Sequence, residues 1–561
     1  MHASAQKAFT VCLAGEAGQG IQSTEAILAS LAKKAGFHVF ATKEYMSRVR
    51  GGVNSTTLRF SSAPVSSLVT GADLVVPFSK EALDHVADRI GPGTVIVADA
   101  EATGIVTDAP VPLAKIAADM GGRIYESTVA AGLIAGILGI DPALTGEAAA
   151  ARFAAKGAAV SGKNREAALA GHERGAALAA RFTVPKAGAI PGELTLSGAD
   201  AIALGFLAGG CDYACGYPMS PATGVLERLA RYSLSHDLIA EQVEDEIGVI
   251  NMALGAAYAG ARAAVSTSGG GFALMEEGLS LAGMIETPVV VHLAQRPGPA
   301  TGLPTRTEQG DLNLVLHAGH GDFPRLILAP GTIPEGYALG AKAFELADRY
   351  QVPAIVLTDQ YYVDTYYDVP AFQPPEAPAK RHIVKTAGDY RRYAPGENGV
   401  SPRGVPGYGE GIVCADSDEH DEGGYIVEDA ATRIAMTDKR LRKGAALARE
   451  FIPPTRVGPA DAKRIVIAWG STFPVVADAL TALAEGSAAL LHFSWLYPLP
   501  DLSALFDGVE LIVAVENNAT GQFADLIEKE ARVRIAKRIL KYDGRPFTVE
   551  ELTERLGAAL A

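Results

Sequence analysis

The run Glu241-Gln-Val-Glu-Asp-Glu246 opens a stretch whose later positions are small, among them Gly248, Ala253, Gly255, Ala256 and Ala257. Carboxylates in a first helical turn are favoured by the helix dipole and need no function for that reason. Glu246 differs because it directly precedes an apolar stretch, and a carboxylate carried into a core requires a partner. Downstream, Thr267-Ser-Gly269-Gly270-Gly271 sets three glycines between a strand-like run and a helical one. That is either a loose loop or a place where a ligand or a second backbone comes close. Arg296 ends the next apolar run, just before Pro297-Gly-Pro. The carboxyl end of a strand is where open α/β sheets bind ligands, and a guanidinium there can fork a carboxylate or simply pair with a surface acid.

Three other clusters invite chemistry. Gly15-x-x-Gly18-x-Gly20 lies between strand and helix patterns, where backbone amides favour phosphate. Its order inverts the dinucleotide fingerprint Gly-x-Gly-x-x-Gly, which leaves a tight turn or a phosphate site for another ligand; NADH binding by the isolated chain would mark the dinucleotide alternative. Arg48 and Arg50, beside Gly51-Gly52, offer positive charge and backbone freedom to a polyphosphate, or form a solvated loop. Asp416-Ser-Asp418-Glu-His420-Asp-Glu422 has metal-binding composition but lacks the glycine and spacing of a calcium loop, so it reads as a charged interfacial loop and no metal site is assigned.

The elements that must carry these residues follow α/β order. A strand at 8–14 leads into a helix marked by Ile27, Leu28, Leu31 and Ala35. Strand-like runs at 37–42, 73–78 and 93–99, with an alanine-rich helical tail over 148–180, make 1–185 one α/β domain. Pro185 and Pro191 mark a linker over 183–192. A second α/β domain spans 193–370, with strands at 263–266, 287–294, 325–329 and 353–358. Prolines and glycines over 370–380 and 401–410 make 371–455 an extended arm. Residues 456–561 return to α/β order, with strands at 464–468, 489–493 and 511–515, a helix at 474–483 and a closing helix after 547. The expected fold class is thus α/β, with three domains and an arm between the last two.

Composition narrows the function further. With 49 Lys and Arg against 64 Asp and Glu, the formal charge of −15 argues against a nucleic-acid or anionic-membrane surface. Only Cys12, Cys211, Cys215 and Cys414 are present, in no iron–sulfur or zinc spacing. The longest apolar run, 129–140, falls short of the ~20 residues that span a bilayer. With no secretory pattern at the start, the expected location is cytoplasmic.

In their order along the chain, the motifs resemble the alpha subunit of 2-oxoacid:ferredoxin oxidoreductases with a gamma-type domain fused ahead of it. The likeness is greatest to the 2-oxoglutarate enzymes (2-oxoglutarate synthase). Gly15-Glu-Ala-Gly-Gln-Gly20 and Arg48-Val-Arg-Gly-Gly52 resemble the gamma domain, and Tyr217-Pro-Met-Ser-Pro221 resembles the family's Tyr-Pro-Ile-Thr-Pro turn. Glu244-Asp-Glu-Ile247, Thr267 to Phe272 and Thr301-Gly-Leu-Pro-Thr-Arg-Thr-Glu-Gln-Gly310 resemble its thiamine-side core. Ser401-Pro-Arg and Glu419-His-Asp-Glu422 resemble its connecting arm, while Trp469-Gly-Ser-Thr472, Glu516-Asn-Asn518 and Thr520-Gly-Gln522 resemble its last domain.

The resemblance implies a gamma-type domain over 1–185, a thiamine pyrimidine-binding, transketolase-like domain over 193–370, the arm, and a transketolase C-terminal-like domain over 456–561. It implies conversion of a 2-oxoacid, coenzyme A and oxidised ferredoxin to acyl-coenzyme A, carbon dioxide and reduced ferredoxin, a reaction some members reverse to fix carbon dioxide, as in a reverse TCA cycle. The 2-oxoacid would be 2-oxoglutarate, giving succinyl-coenzyme A, with pyruvate or a broad range as the alternative. By the same likeness Glu246 would hydrogen-bond the thiamine aminopyrimidine, Tyr217, Pro218, Gly269 and Gly270 would line the cofactor, and Ser220, Arg296 and Thr305 would hold the substrate carboxylate. Gly18, Gly20, Arg48 and Arg50 are candidates for coenzyme A. Two departures stand out: Ser220 replaces a family threonine, which bears on substrate preference, and Gly270 replaces a proline.

Families using thiamine diphosphate commonly grip its diphosphate and metal through Gly-Asp-Gly, and no such tripeptide occurs. A beta subunit would therefore supply that half of the site, the Mg2+ and a 4Fe–4S cluster, in an (alpha-beta)2 assembly that reduces ferredoxin. The rivals are a lipoamide-coupled thiamine dehydrogenase subunit, which the gamma-type domain argues against, and a non-catalytic assembly subunit.

Overall fold

The computed structural model describes residues 8–46, 52–185, 188, 190, 192–375, 377, 379–483, 486 and 488–561. These form two compact units. One comprises Met1–Leu196, Thr365–Ala371 and Thr548–Glu554; the other comprises Ser197–Asp364, Phe372–Phe547 and Arg555–Ala561.

The first unit is built on an eight-stranded mixed sheet in the order Ala109–Pro110, Val95–Ala98, Leu74–Pro77, Ala8–Glu16, Val53–Ser61, His38–Glu44, Tyr366–Pro370, Glu193–Ser197. Ala8–Glu16 pairs parallel with Leu74–Pro77 and antiparallel with Val53–Ser61, so the parallel half and the antiparallel half meet at this strand. Every residue of helix Glu126–Ile137 is buried, and the helix packs on Ala158–Leu178. Glycine makes that crossing possible. A Cβ on Gly132 would lie 1.9 Å from the Ala168 carbonyl oxygen, and one on Gly175 would lie 1.9 Å from that of Leu133. Gly132→Ala must therefore push the helices apart, at about 1–3 kcal/mol or more. Gly162, in the same pair of helices but with open space around it, serves as control: Gly162→Ala should be neutral or stabilising by ~0.5–1 kcal/mol. Circular dichroism melts of the two variants check this, with only the first melting earlier than the parent.

The second unit holds two sheets. The larger runs Trp495–Tyr497, Leu326–Leu328, Pro353–Asp359, Val289–Gln295, Ala263–Thr267, Tyr213–Gly216, Ile239–Gln242, and it is parallel except for the first strand. Its central strands are fully buried apolar runs, as strands covered on both faces must be. The smaller sheet runs Thr455–Val457, Ala488–Phe493, Arg464–Trp469, Leu511–Glu516, Lys537–Leu540, with only its first strand antiparallel. One apolar core, including Phe272, Trp469, Phe493 and Phe523, joins the two sheets. Buried in the larger sheet, His292 is wedged between Ser266 Oγ (2.9 Å) and Thr358 Oγ1 (2.8 Å), and burial pushes its pKa down to about 3, so it is a neutral core residue.

From Phe372 to Asp429 the described chain has no helix or strand and is tied down by isolated bridges and side chains until helix Ala430–Leu447. No described helix is long and apolar enough to cross a membrane.

Candidate active site

In the larger sheet of the second unit, successive strands are added first on one side of Tyr213–Gly216 and then on the other. Tyr213–Gly216 has Ile239–Gln242 on one side and Ala263–Thr267 on the other, so the segments leaving these neighbouring strands diverge and open a crevice. The turn Tyr217–Pro221 leaves the first strand, with Tyr217 and Pro218 exposed and Ser220 half-buried. Asp245, whose side chain accepts from the Gly248 amide at 2.8 Å, caps helix Glu246–Tyr258 beyond the second strand. Capping fixes Glu246 as the first helical residue. It is 4% exposed, whereas Glu244 and Asp245 remain in solvent.

Gly271 is the reason Glu246 can lie there. A Cβ on Gly271 would sit 2.7 Å from Glu246 Oε1 and 2.3 Å from Thr267 Oγ1. Glu246 Oε1 is buried and has no hydrogen-bond partner among the described residues. An acceptor in that state is rare in native proteins and calls for a specific explanation. The three-glycine segment is not a loose loop but the start of the short helix Gly269–Leu274, and Gly270 faces open space.

The strand Val289–Gln295 delivers Arg296, whose Nη1 donates to the Ser220 carbonyl at 2.6 Å while the buried Nε lacks a partner. Burial pulls its pKa down, against the support of nearby Asp311. Asp311 is itself pushed up to about 7, by burial first and then by Glu308, with Arg296 opposing. Thr305 is buried on the segment between Arg296 and Asp311. Close by in sequence, Thr307 Oγ1 donates to Asp359 Oδ1 at 3.2 Å, and Ser471 Oγ donates to Asp359 Oδ2. Burial raises the pKa of Asp359.

The smaller sheet braces this segment. Gln309 donates from Nε2 to the Trp469 carbonyl (2.9 Å) and accepts at Oε1 from the Asn517 amide (2.9 Å). Glu516, fully buried, accepts from Trp469 Nε1, Asn518 Nδ2 and the amides of Phe523 and Ala524 at 2.8–3.2 Å. Trp469, Glu516 and Asn518 thus fix the shape of the 301–310 segment rather than facing a ligand.

Tyr217, Pro218, Ser220, Glu246, Gly269, Gly270, Arg296 and Thr305 all lie on segments leaving the carboxyl ends of one sheet. Gly18 and Gly20 belong to the first unit, before helix Ile21–Lys34; Gly20 has φ 80° and its missing Cβ would strike Ser127, while Gly18, at φ 98°, is open. Arg48 and Arg50 lie outside the described residues. In the acidic segment, Glu419 binds Arg440 at 2.7 Å and also Arg433, and His420 is buried with its ring 3.9 Å from that of Tyr393. Those side chains are engaged within the chain. Among the described residues one other trio, His38, Glu193 and Asp368, brings ligand atoms together, but both Asp368 oxygens already accept, from the Val39 amide and Thr195 Oγ1. Asp311 was not singled out by the sequence and no local signal marks it, whereas Gln309 and Glu516 stood there only as members of the family-like stretches 301–310 and 516–518, with no role of their own.

Comparison with known proteins gives this arrangement a family. Residues 205–439 match the family described as pyruvate flavodoxin/ferredoxin oxidoreductase, thiamine diphosphate-binding, and residues 10–174 match pyruvate ferredoxin/flavodoxin oxidoreductase. The alpha subunit of 2-oxoacid:ferredoxin oxidoreductase from Sulfolobus sp is 30% identical over 97% of this chain and 96% of its own length. A 2-oxoglutarate synthase subunit KorA from Archaeoglobus fulgidus is 30% identical over 64% of this chain and 97% of its own. Among solved structures, the 2-oxoglutarate:ferredoxin oxidoreductase of Magnetococcus marinus, with 2-oxoglutarate, coenzyme A and succinyl-CoA bound, is similar with a TM-score of 0.91, 31% identity and coverage of 99% of this chain and 100% of that one. The chain belongs to the thiamine-diphosphate-binding 2-oxoacid:ferredoxin oxidoreductases, as an alpha subunit with a gamma-like domain fused at its front.

Proposed function

We propose that the chain is the gamma-alpha fused subunit of a 2-oxoglutarate:ferredoxin oxidoreductase, interconverting 2-oxoglutarate, coenzyme A and oxidised ferredoxin with succinyl-coenzyme A, carbon dioxide and reduced ferredoxin. The observation that carries the chemistry is the buried, unpartnered Glu246 Oε1 on the same sheet edge as Arg296. The substrate choice is supported by the full-length likeness to the Magnetococcus marinus enzyme.

The residues present fit thiamine diphosphate. Glu246 offers its free oxygen to a ring N–H of the aminopyrimidine, and Gly271 keeps that approach clear of any side chain. Tyr217 and Pro218, exposed at the crevice, would pack on the cofactor, with Gly270 leaving room for its ring, while the space beside Gly269 is taken by the Asp311 carboxylate. When bound, the cofactor supplies the electron sink for breaking the bond between the carbonyl carbon and the carboxylate. Glu246 holds and returns a proton at its Oε1, the work of a general acid–base placed out of water. Arg296 forks the substrate carboxylate, its Nη1 steadied by the Ser220 carbonyl, and the hydroxyls of Ser220 and Thr305 complete that grip.

The rest of the assembly is assigned by need. A beta subunit supplies the diphosphate and Mg2+ half of the cofactor site and the 4Fe–4S cluster, in an (alpha-beta)2 complex. Residues 1–185 form the gamma-type domain, with Gly18, Gly20, Arg48 and Arg50 toward coenzyme A; 193–370 bind the pyrimidine, 371–455 form the arm and 456–561 the closing domain.

The test is purification of the native complex and assay with coenzyme A, methyl viologen and a series of 2-oxoacids. We expect kcat/KM for 2-oxoglutarate to exceed that for pyruvate and branched 2-oxoacids by about tenfold or more, since a site built for a second carboxylate rejects analogues lacking it. Preference for pyruvate would overturn the substrate assignment, and activity requiring lipoamide would overturn the reaction.

A further inference from the structure

Two carboxylates, not one, press on the glycine segment after strand Ala263–Thr267. Glu246 meets it at Gly271. At Gly269 a Cβ would lie 2.5 Å from Asp311 Oδ2 and 2.6 Å from Oδ1, so only glycine lets that carboxylate come so near. Asp311 is anchored to the strand that ends in Arg296: its amide donates to Gln295 Oε1 at 2.9 Å, and Gln295 Nε2 donates to the Thr358 carbonyl at 3.0 Å. Its Oδ2 is buried with no hydrogen-bond partner among the described residues, and the same is true of Arg296 Nε. The two groups are close enough for each to alter the other's ionisation. An unfinished anion therefore stands beside an unfinished cation that the proposed reaction uses.

We propose that Asp311 is a positioning residue that governs Arg296: ionised, it takes up the positive field that the 2-oxoacid carboxylate needs, and protonated, it releases the guanidinium to the substrate. This rests on the reading of Arg296 as the holder of that carboxylate. A second anion brought beside an ionised, desolvated carboxylate meets like-charge repulsion, which protonation of Asp311 removes. The charged groups acting on Asp311 are Glu308 in the same segment and Arg296 at the strand end. Burial and Glu308 raise its pKa to about 7 in spite of Arg296, which puts the change in the working range of pH. The sign follows. Below pH 7 Asp311 is neutral and substrate binds well; as pH rises through 7 it ionises and binding weakens. Reciprocally, binding of an anion must draw a proton onto Asp311.

The test uses the purified complex and two readouts. Glutarate, a dicarboxylate without the reactive carbonyl, is titrated by calorimetry near pH 7 in buffers of different ionisation enthalpy to count protons taken up. In parallel, KM and kcat for 2-oxoglutarate are followed from pH 6 to 8.5. The parent complex should take up a fraction of a proton with glutarate, and its KM should rise about tenfold over this range, one pKa unit of coupling. Asp311→Asn, which keeps the size and cannot ionise, should take up none from this group and give a flat KM. Glu308→Gln removes a charge that raises Asp311's pKa, so it should move the inflection to lower pH, an effect that a merely structural role would not produce. Proton uptake equal in parent and Asp311→Asn, or absent from both, overturns the proposal. Uptake as expected with no 2-oxoacid-dependent viologen reduction overturns instead the reading of the reaction.

Discussion

Glu246→Gln, assembled with its beta subunit, is expected to lose about 10²- to 10⁴-fold in kcat for 2-oxoacid-dependent viologen reduction, the span a positioned acid–base group contributes. The substitution keeps the side chain's shape under Gly271, where there is no room for anything larger. It also breaks no hydrogen bond at Oε1, because that atom makes none within the chain. Folding should therefore be largely unharmed. The pairing of a largely unchanged melting temperature with a thousandfold loss of turnover separates a catalytic carboxylate from one that merely caps a helix. Gly271→Ala approaches the same point from the other side, since its Cβ must displace the Glu246 carboxylate. Turnover by Glu246→Gln within a few-fold of the parent would remove Glu246 from the mechanism and favour the assembly-subunit reading.

How far the sequence exposes this site depends on what each residue has to do. Glu246 is legible because a carboxylate at the entry to an apolar helix breaks the usual pattern, and Arg296 because an arginine ends a run that is otherwise apolar. The strands of the larger sheet are legible for the same reason, being short continuous apolar runs. Strand Val53–Ser61 is not. Its Thr56, Thr57 and Arg59 are polar yet buried, with partners outside the strand, such as Glu25 for Thr56 and the Ser67 carbonyl for Arg59. Asp311 was hidden in another way: nothing local distinguishes it from a helix-capping aspartate, and its environment is made by Gly269, Arg296 and Glu308 only once the strands are side by side. The three glycines promised a close approach without naming what approaches, and the structure supplies two carboxylates.

Glu286→Gln is expected to cost about 3–5 kcal/mol, the usual penalty for removing one partner of a buried ion cluster. Glu286 is fully buried, and its carboxylate takes Lys439 Nζ at 2.6 Å and Lys443 Nζ at 2.7 Å. Its carbonyl accepts from Arg392 Nη2 at 2.7 Å, and Arg392 also binds Gln351 Oε1 at 2.9 Å. Lys439 and Lys443 belong to helix Ala430–Leu447, and Arg392 to the irregular segment before it, so a single anion fastens the arm to the larger sheet's surroundings. Without that anion three buried cations face one another, and the arm should come away before the rest of the unit unfolds. Limited proteolysis within 380–429 and a fall in melting temperature would report it. Glu286→Gln combined with Lys439→Met should recover much of the loss, because it removes one unpaired cation together with the anion. The pH dependence has a defined sign. The lysines and Arg392 hold Glu286 down at about 2 against burial, from an ordinary 4.5, so its contribution is complete above pH 4.5 and disappears as pH falls toward 2. Burial and competition with Lys443 pull Lys439 down to about 8 from 10.5. Between those values the unfolded chain binds the extra proton, and stability should rise with pH. Acid release of the arm in the parent, absent as a separate step in Glu286→Gln because its arm is already loose, is the expected pattern. An arm equally resistant to protease in both proteins at pH 7 would show that the cluster does not hold it.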